Sequence, residues 1–197
     1  AEKFVRESIK SNILGTLNIL EHSLNLEIDF IIGISTDKAA QVSGVYGATK
    51  FLMERTFKQF EALNENCKYR IVRYGNVLYS TGSVLCKWKK LIEAGEPVIV
   101  TDLNATRFFW TVDQAIDLIF ECLKKSTSVN PYSPFMKAMS IRNLLAAMIE
   151  KYSNGNHISI KTIGLQGGEN LHEKILDEGP YSNQVEHFTI GEIKELI

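Results

Sequence analysis

The chain has 197 residues, of which 45% are hydrophobic and 23% charged, the composition of an ordinary globular domain. That excludes a disordered chain, a coiled coil and a disulfide-stapled miniprotein. Its 22 basic and 23 acidic side chains nearly cancel, so no net charge draws nucleic acid or anionic lipid to the surface. Along the chain, residues 5–22 place Ile9, Ile13, Leu14, Leu17, Ile19 and Leu20 at helical spacing. Asp29–Ser35 reads as a short, fully buried strand of the parallel-sheet kind. A helix is predicted from Val45 to Leu63 and a strand from Tyr69 to Tyr74. This alternation argues for βαβ units and a doubly wound sheet.

Beyond Asn76 the rhythm loosens. The pattern predicts a helix at 84–94, a strand at Pro97–Val100, a Thr/Asp/Asn-rich loop, helices at 111–124 and 140–151, and a strand at His157–Ile163. A glycine-rich turn, Gly164–Gly168, then leads to a predicted short helix at Leu171–Ile175. No apolar run approaches the roughly 20 residues of a membrane helix. Cys67, Cys86 and Cys122 form no C-x-x-C pair, so no metal site is expected, and the cysteine usage fits a reducing, cytoplasmic setting.

Tyr46 and Lys50 are four apart at the start of a helix that follows a buried strand, so both lie on one helical face. An ammonium there favours the phenolate and brings a tyrosine towards use as a general base. Thr36 lies just past the strand end, where open α/β sheets bind ligands.

Ser35-Thr36-Asp37-Lys38-Ala39-Ala40 and Val45-Tyr46-Gly47-Ala48-Thr49-Lys50 together resemble the extended short-chain dehydrogenase/reductases, and more narrowly the UDP-N-acetylglucosamine 4,6-dehydratases. Asn12-x-x-Gly15-Thr16, Arg73-Tyr74-Gly75-Asn76-Val77 with Gly82-Ser83-Val84, Thr101-Asp102 with Thr106-Arg107-Phe108, and Gly168–Glu173 agree, in family order. The resemblance implies an α/β fold: the C-terminal part of a doubly wound Rossmann-type parallel sheet with a small α/β substrate-binding domain. Residues 1–78 and 108–137 would form the remainder of the NAD(P)-binding domain, and 79–107 and 138–197 the substrate domain. It assigns Tyr46 to the C4 hydroxyl proton, Lys50 to the nicotinamide ribose, Thr36 to the C4 oxygen, Lys38 to the C5 proton and Asp37 to the leaving C6 hydroxyl. Tyr74 would lie by the carboxamide end of the cofactor, Asn76 and Arg107 by the diphosphate, and Glu169 by the uridine ribose. For these roles the Lys38 pKa must fall well below about 10.4 and that of Asp37 must rise.

The sequence departs from that pattern at Val42 and Gly44, where the family has Pro and Asn. It also carries Cys86 for a proline, and Gln166-Gly167 for Arg-Pro at the substrate diphosphate. Catalytic tyrosine is retained, as in the short soluble branch whose members often invert C5. No G-x-G-x-x-G or G-x-x-G-x-x-G follows a strand, so the resemblance implies an N-terminally truncated piece, inactive alone, of an NAD(P)-recycling lyase. The residue that chooses NAD or NADP belongs to that missing part. The implied partners are a UDP-sugar and further copies of the chain in a homo-oligomer, with no nucleic acid or membrane. A UDP-sugar 4-epimerase or reductase, using Tyr46 and Lys50 without Asp37-Lys38, is the alternative, as is an inactive sugar-nucleotide-binding fragment.

Overall fold

A computed structural model describes all residues, 1–197. The first helical stretch is α1 (Val5–Ile9), a π-helical turn (Lys10–Leu14) and α2 (Gly15–Ser23) in direct continuation. β1 (Phe30–Thr36) follows and ends in a 3₁₀ turn, Asp37–Ala39. Next come α3 (Val45–Leu63), β2 (Lys68–Tyr74), β3 (Asn76–Val77), α4 (Val84–Glu93) and β4 (Val98–Val100). They are followed by β5 (Thr106–Arg107), β6 (Phe109–Trp110), α5 (Val112–Lys125), β7 (Pro131–Tyr132) and β8 (Met139–Ser140). The chain closes with α6 (Ile141–Tyr152), β9 (Ile160–Thr162) and α7 (Ile190–Leu196).

β1 and β2 pair in parallel over their whole length, from Phe30 opposite Lys68 to Thr36 opposite Tyr74, and β7 joins the far edge of β2. α3 is the crossover between them, as parallel pairing requires. Only the second half of β1 is well buried; Phe30 is exposed, and no strand pairs with the other edge. The expectation of a fully buried strand therefore holds only near its C-terminal end, where the site lies.

The apolar residues sort into separate cores. Leu20, Met53, Phe57, Phe60, Tyr69 and Ile71 pack α2 and α3 onto one face of the sheet. Val72, Trp110, Ala115, Leu118 and Cys122 pack α5 onto the other. The largest core joins α4, α6 and α7 with β4 through Trp88, Ile92, Val98, Leu144, Met148 and Ile193. Consecutive residues tie the cores together. Phe109 enters the large core, Trp110 the α5 core, and Phe108 a small cluster with Ala138 and Ile175. Strand geometry sends neighbouring side chains to opposite faces, which lets so short a segment reach several cores.

The segment predicted as a helix at Leu171–Ile175 is not one. Its backbone is spent sideways: the Leu171 carbonyl accepts from Thr106 N and Arg107 Nη1, and Glu173 N donates to Ser182 Oγ. With those groups committed, no i→i−4 ladder forms. No helix of the protein is long and apolar enough to cross a membrane.

Candidate active site

The site is built where β1 stops. Thr36 is extended, and its hydroxyl accepts from Lys38 N at 3.4 Å, which starts the 3₁₀ turn. The same hydroxyl donates to Asp37 Oδ1 at 2.8 Å. Lys38 Nζ donates to that oxygen from the other side at 3.1 Å. Gly47, in the first turn of α3, packs so closely on this turn that any Cβ would overlap the Lys38 carbonyl oxygen. That contact seats the tyrosine helix directly on the Asp37-Lys38 pair.

The N-terminus of α3 has no cap of its own, since Gly44 precedes it. Glu2 supplies one from far away in sequence, accepting from Val45 N at 3.0 Å and Tyr46 N at 3.2 Å. Those backbone hydrogen bonds hold the Glu2 carboxyl below its ordinary range. Tyr46 is thereby fixed at the mouth of the site, 36% exposed.

Lys50 points back under the sheet, its Nζ donating to Ile34 O at 2.9 Å. Burial lowers its pKa, against the opposing pull of Glu54. Burial raises the Tyr46 phenol, and the cation that counters this is Lys38, while Asp37 and Tyr74 add to the rise. Lys38 is thus a cation acting on Tyr46 in addition to the Lys50 expected from the sequence.

The ionisation of the Asp37-Lys38 pair is the reverse of what elimination chemistry needs. Burial works against the Lys38 charge, yet Asp37 and Glu173 outweigh it and hold the ammonium above its ordinary range. Burial also pushes Asp37 up, but hydrogen bonding with Glu173 and the Lys38 charge hold it below the usual carboxylate range. The carboxyl driven upward is Glu173, which burial and then the Asp37 charge push up to about 8. Transfer of one proton across the 3.1 Å Lys38–Asp37 hydrogen bond gives the amine and the carboxylic acid.

Glu173 joins elements that the sequence leaves apart. Its carboxylate lies 3.3 Å from Lys38 Nζ and 3.3 Å from Arg107 Nε. It also accepts from Asn76 Nδ2 at 3.4 Å. Glu173 ends the Gly168–Glu173 segment that matches the family pattern, but the sequence assigns it no role; only the fold shows that it reaches Lys38 and Arg107. A second buried group missed by sequence reading is Arg73, 1% exposed, which grips Glu54 with Nε at 2.7 Å and Nη2 at 2.5 Å. Its Nη1 reaches Ile175 O and Asp177, tying the Glu173 segment to β2.

Beside this centre lies a cleft of about 350 Å³, lined by Asn76, Trp88, Arg107 and Glu169 among others. A second hollow runs past Lys38, Tyr46 and Gly168, and Glu169 borders both. Arg107 is largely committed internally: Nη1 binds Thr106 O and Leu171 O at 2.9 Å each and Nε faces Glu173, which leaves Nη2 as the nitrogen without a partner in the chain. Asn76 Nδ2 also donates to Phe108 O. Tyr74 continues β2 past Arg73 and is raised by burial. Gln166 stays on the exposed turn, its amide bonded to Gly164 O, while its backbone N donates to Glu169. Thr36, Asp37, Lys38 and Tyr46 thus converge, with Lys50 behind them. Asn76, Arg107 and Glu169 line the neighbouring cleft, and Gln166 stands outside it. His172 is a structural residue, its Nδ1 bonded to Thr106 Oγ1 at 2.8 Å.

Comparison with known proteins places these residues in a family. The family model described as "Polysaccharide biosynthesis protein" matches residues 1–195. An uncharacterized membrane protein of Methanocaldococcus jannaschii is 35% identical over 87% of this chain and 54% of its own length. The inverting UDP-N-acetylglucosamine 4,6-dehydratase of Campylobacter jejuni is 32% identical over 88% of this chain and 51% of its own. The chain spans about half the length of these curated relatives. Among solved structures, Pen from Bacillus thuringiensis matches with a TM-score of 0.90 and 26% identity, over all of this chain and 70% of that one. The fold is of the Rossmann type found in short-chain dehydrogenase/reductases, and the chain belongs to the polysaccharide biosynthesis protein family.

Proposed function

We propose that the chain carries the catalytic and sugar-nucleotide-binding part of a UDP-N-acetylglucosamine 4,6-dehydratase. The observation that carries this is the Asp37-Lys38 pair seated against the tyrosine helix at the end of β1. A plain epimerase needs a base at C4 alone; an acid and an amine side by side suit removal of the C5 hydrogen and departure of the C6 hydroxyl. Tyr46 takes the C4 hydroxyl proton, with Thr36 next to it. Once C4 is a ketone, the C5 hydrogen is acidic; the Lys38 amine removes it while Asp37 protonates the C6 oxygen, which leaves as water.

The residues present fit the nicotinamide end of NAD(P): Lys50 donates to Ile34 O and, weakly, to Met53 Sδ and retains a third N–H for a ribose hydroxyl, and Tyr74 lies close enough to Tyr46 to act on its phenol. Bound there, the cofactor would accept the electrons released at C4 and return them at C6, so that no net oxidation occurs. The UDP moiety is assigned to the cleft. Asn76 and the free Nη2 of Arg107 meet the diphosphate, where guanidinium geometry suits phosphate oxygens, and Glu169 meets the ribose. The substrate-binding unit in this reading comprises 79–107 and 138–197.

Assay of the full-length protein that carries this chain with UDP-N-acetylglucosamine and NAD(P) should give a 4-keto-6-deoxy product. Tyr46→Phe should lower the rate by about 10²-fold or more, the range expected for loss of a general base. An unchanged rate in that variant would overturn the reading.

A further inference from the structure

The mechanism proposed above uses Asp37, Lys38 and Tyr46, yet a further carboxyl in the site belongs to none of these roles. Glu173 is 4% exposed and fixed on every side. Its backbone is held both ways by Ser182, with Glu173 N donating to Ser182 Oγ at 2.9 Å and Ser182 N donating to Glu173 O at 2.8 Å. Arg73 anchors the same segment through Ile175 O at 3.0 Å. Its side chain reaches Lys38, Arg107 and Asn76. Opposite it, Asp37 Oδ2 is buried and receives no hydrogen bond from any donor group. A buried carboxylate oxygen without a donor is rare, and a protonated acid beside it removes the anomaly.

Proton accounting shows what such an acid could do. In each turnover of the dehydratase reading, on which this inference rests, the C4 hydroxyl gives one proton to Tyr46. The C6 oxygen leaves as water with one proton from Asp37, and the C5 proton goes to Lys38 and returns to C5. The Asp37-Lys38 pair therefore ends one proton short while the Tyr46 side gains one. Only O–H and N–H bonds need change to restore it.

We propose that Glu173 is a positioning acid, which holds Lys38 between two carboxyl groups and stores, beside Asp37, the proton that the pair loses in each turnover. After product forms, the Glu173 carboxylic acid passes its proton to the Lys38 amine, whose Nζ lies 3.3 Å away. It remains as a carboxylate between the Lys38 and Arg107 cations until solvent reprotonates it. The charged and titratable groups that face it are Asp37 and Lys38 from the turn after β1 and Arg107 from β5. Its pKa of about 8 leaves it protonated near neutral pH.

Two measurements test this and separate it from the dehydratase reading. In the protein labelled with ¹³C at glutamate side-chain carboxyls, one resonance should titrate near pH 8 and be missing from Glu173→Gln and Glu173→Asp. If every glutamate carboxyl titrates below about pH 6, within the ordinary range, the stored proton is refuted. Second, a UDP-4-keto-N-acetylhexosamine that retains its C6 hydroxyl enters the reaction after C4 oxidation, so its C5 hydrogen exchange in D₂O reads Lys38 directly. The wild-type exchange rate should change with pH around 8; Glu173→Gln should lose that limb and slow at least about tenfold, and Glu173→Asp should recover it in part. A pH profile in Glu173→Gln identical to wild type overturns the proposal even if the variant is slower. Absence of exchange in the wild type counts against the dehydratase reading instead, and the carboxyl titration then decides the role of Glu173.

Discussion

At the scale of single residues, the site depends on a close approach between two backbones. Gly47 brings α3 onto the Lys38 carbonyl with no room for a methyl group. Gly75 does the same beside Phe108 O, at the point where β2 passes towards Asn76. Gly47→Ala should therefore cost about 1–3 kcal/mol, the usual range for overpacking, measured as a lower urea midpoint. Because the strain falls on Lys38, C5 exchange should drop further than stability does. A variant as stable as wild type and equally fast would show that the contact is not tight. Arg73 and Glu54 are the buried counterpart of this contact. Their paired hydrogen bonds, with Ser35 donating to Glu54 Oε1 at 2.5 Å, join β1, β2 and α3 next to the Asp37-Lys38 turn. Asp37 and Lys38, Tyr46 and Lys50 were legible because they lie within one strand–turn–helix passage. The parts played by Glu173 and Glu2 were not, because each reaches the site only through tertiary folding: Glu173 closes a matching motif whose chemistry the sequence leaves open, and Glu2 lies in no motif at all.

At the scale of elements, periodicity located the long helices well, and their ends follow from capping. α5 starts with a full capping box: Thr111 Oγ1 accepts from Gln114 N at 3.1 Å, and Gln114 Oε1 accepts from Thr111 N at 2.9 Å. Asp113 in its first turn and Lys124 and Lys125 in its last complement the helix dipole. Thr111→Ala should cost about 0.5–2 kcal/mol, read from the thermal midpoint, and Thr111→Ser should restore most of it. No loss in the alanine variant would mean that Trp110 and the sheet fix the helix start without the cap. The two-residue strands β3, β5, β6, β7 and β8 were invisible in the sequence, since so short a run has no period to detect. The Leu171–Ile175 segment misled for a different reason. Its composition suits a helix, but Arg107, Thr106 and Ser182 take its backbone groups first.

For the whole molecule, the Rossmann-type sheet and the large α4–α6 core meet through Phe108-Phe109-Trp110, and the site lies beside that junction. Its charges should be visible in the pH dependence of stability. Glu173 binds its proton more tightly folded, with a pKa of about 8 against 4.5, so its contribution is full below about 4.5 and is lost as pH rises towards 8. His172, which burial holds below 6.5, contributes in the opposite sense at acid pH, because there the unfolded chain binds the proton better. Between about pH 6.5 and 8 the loss through Glu173 should therefore stand alone: wild-type stability should fall there, and Glu173→Gln should be flat. Equal slopes in denaturant titrations of the two proteins would show that Glu173 titrates normally. The fold class could be read from the alternation of strands and helices, whereas the proton inventory of the site could not, because it depends on which distant carboxyl is buried against Asp37. The most direct measurement of the assigned chemistry is mass spectrometry of a UDP-4-keto-N-acetylhexosamine after incubation with the protein in D₂O. Deuterium at C5 followed by loss of water, both abolished in Lys38→Ala, is the expected result; wild-type protein that binds the compound yet neither exchanges nor eliminates would contradict it.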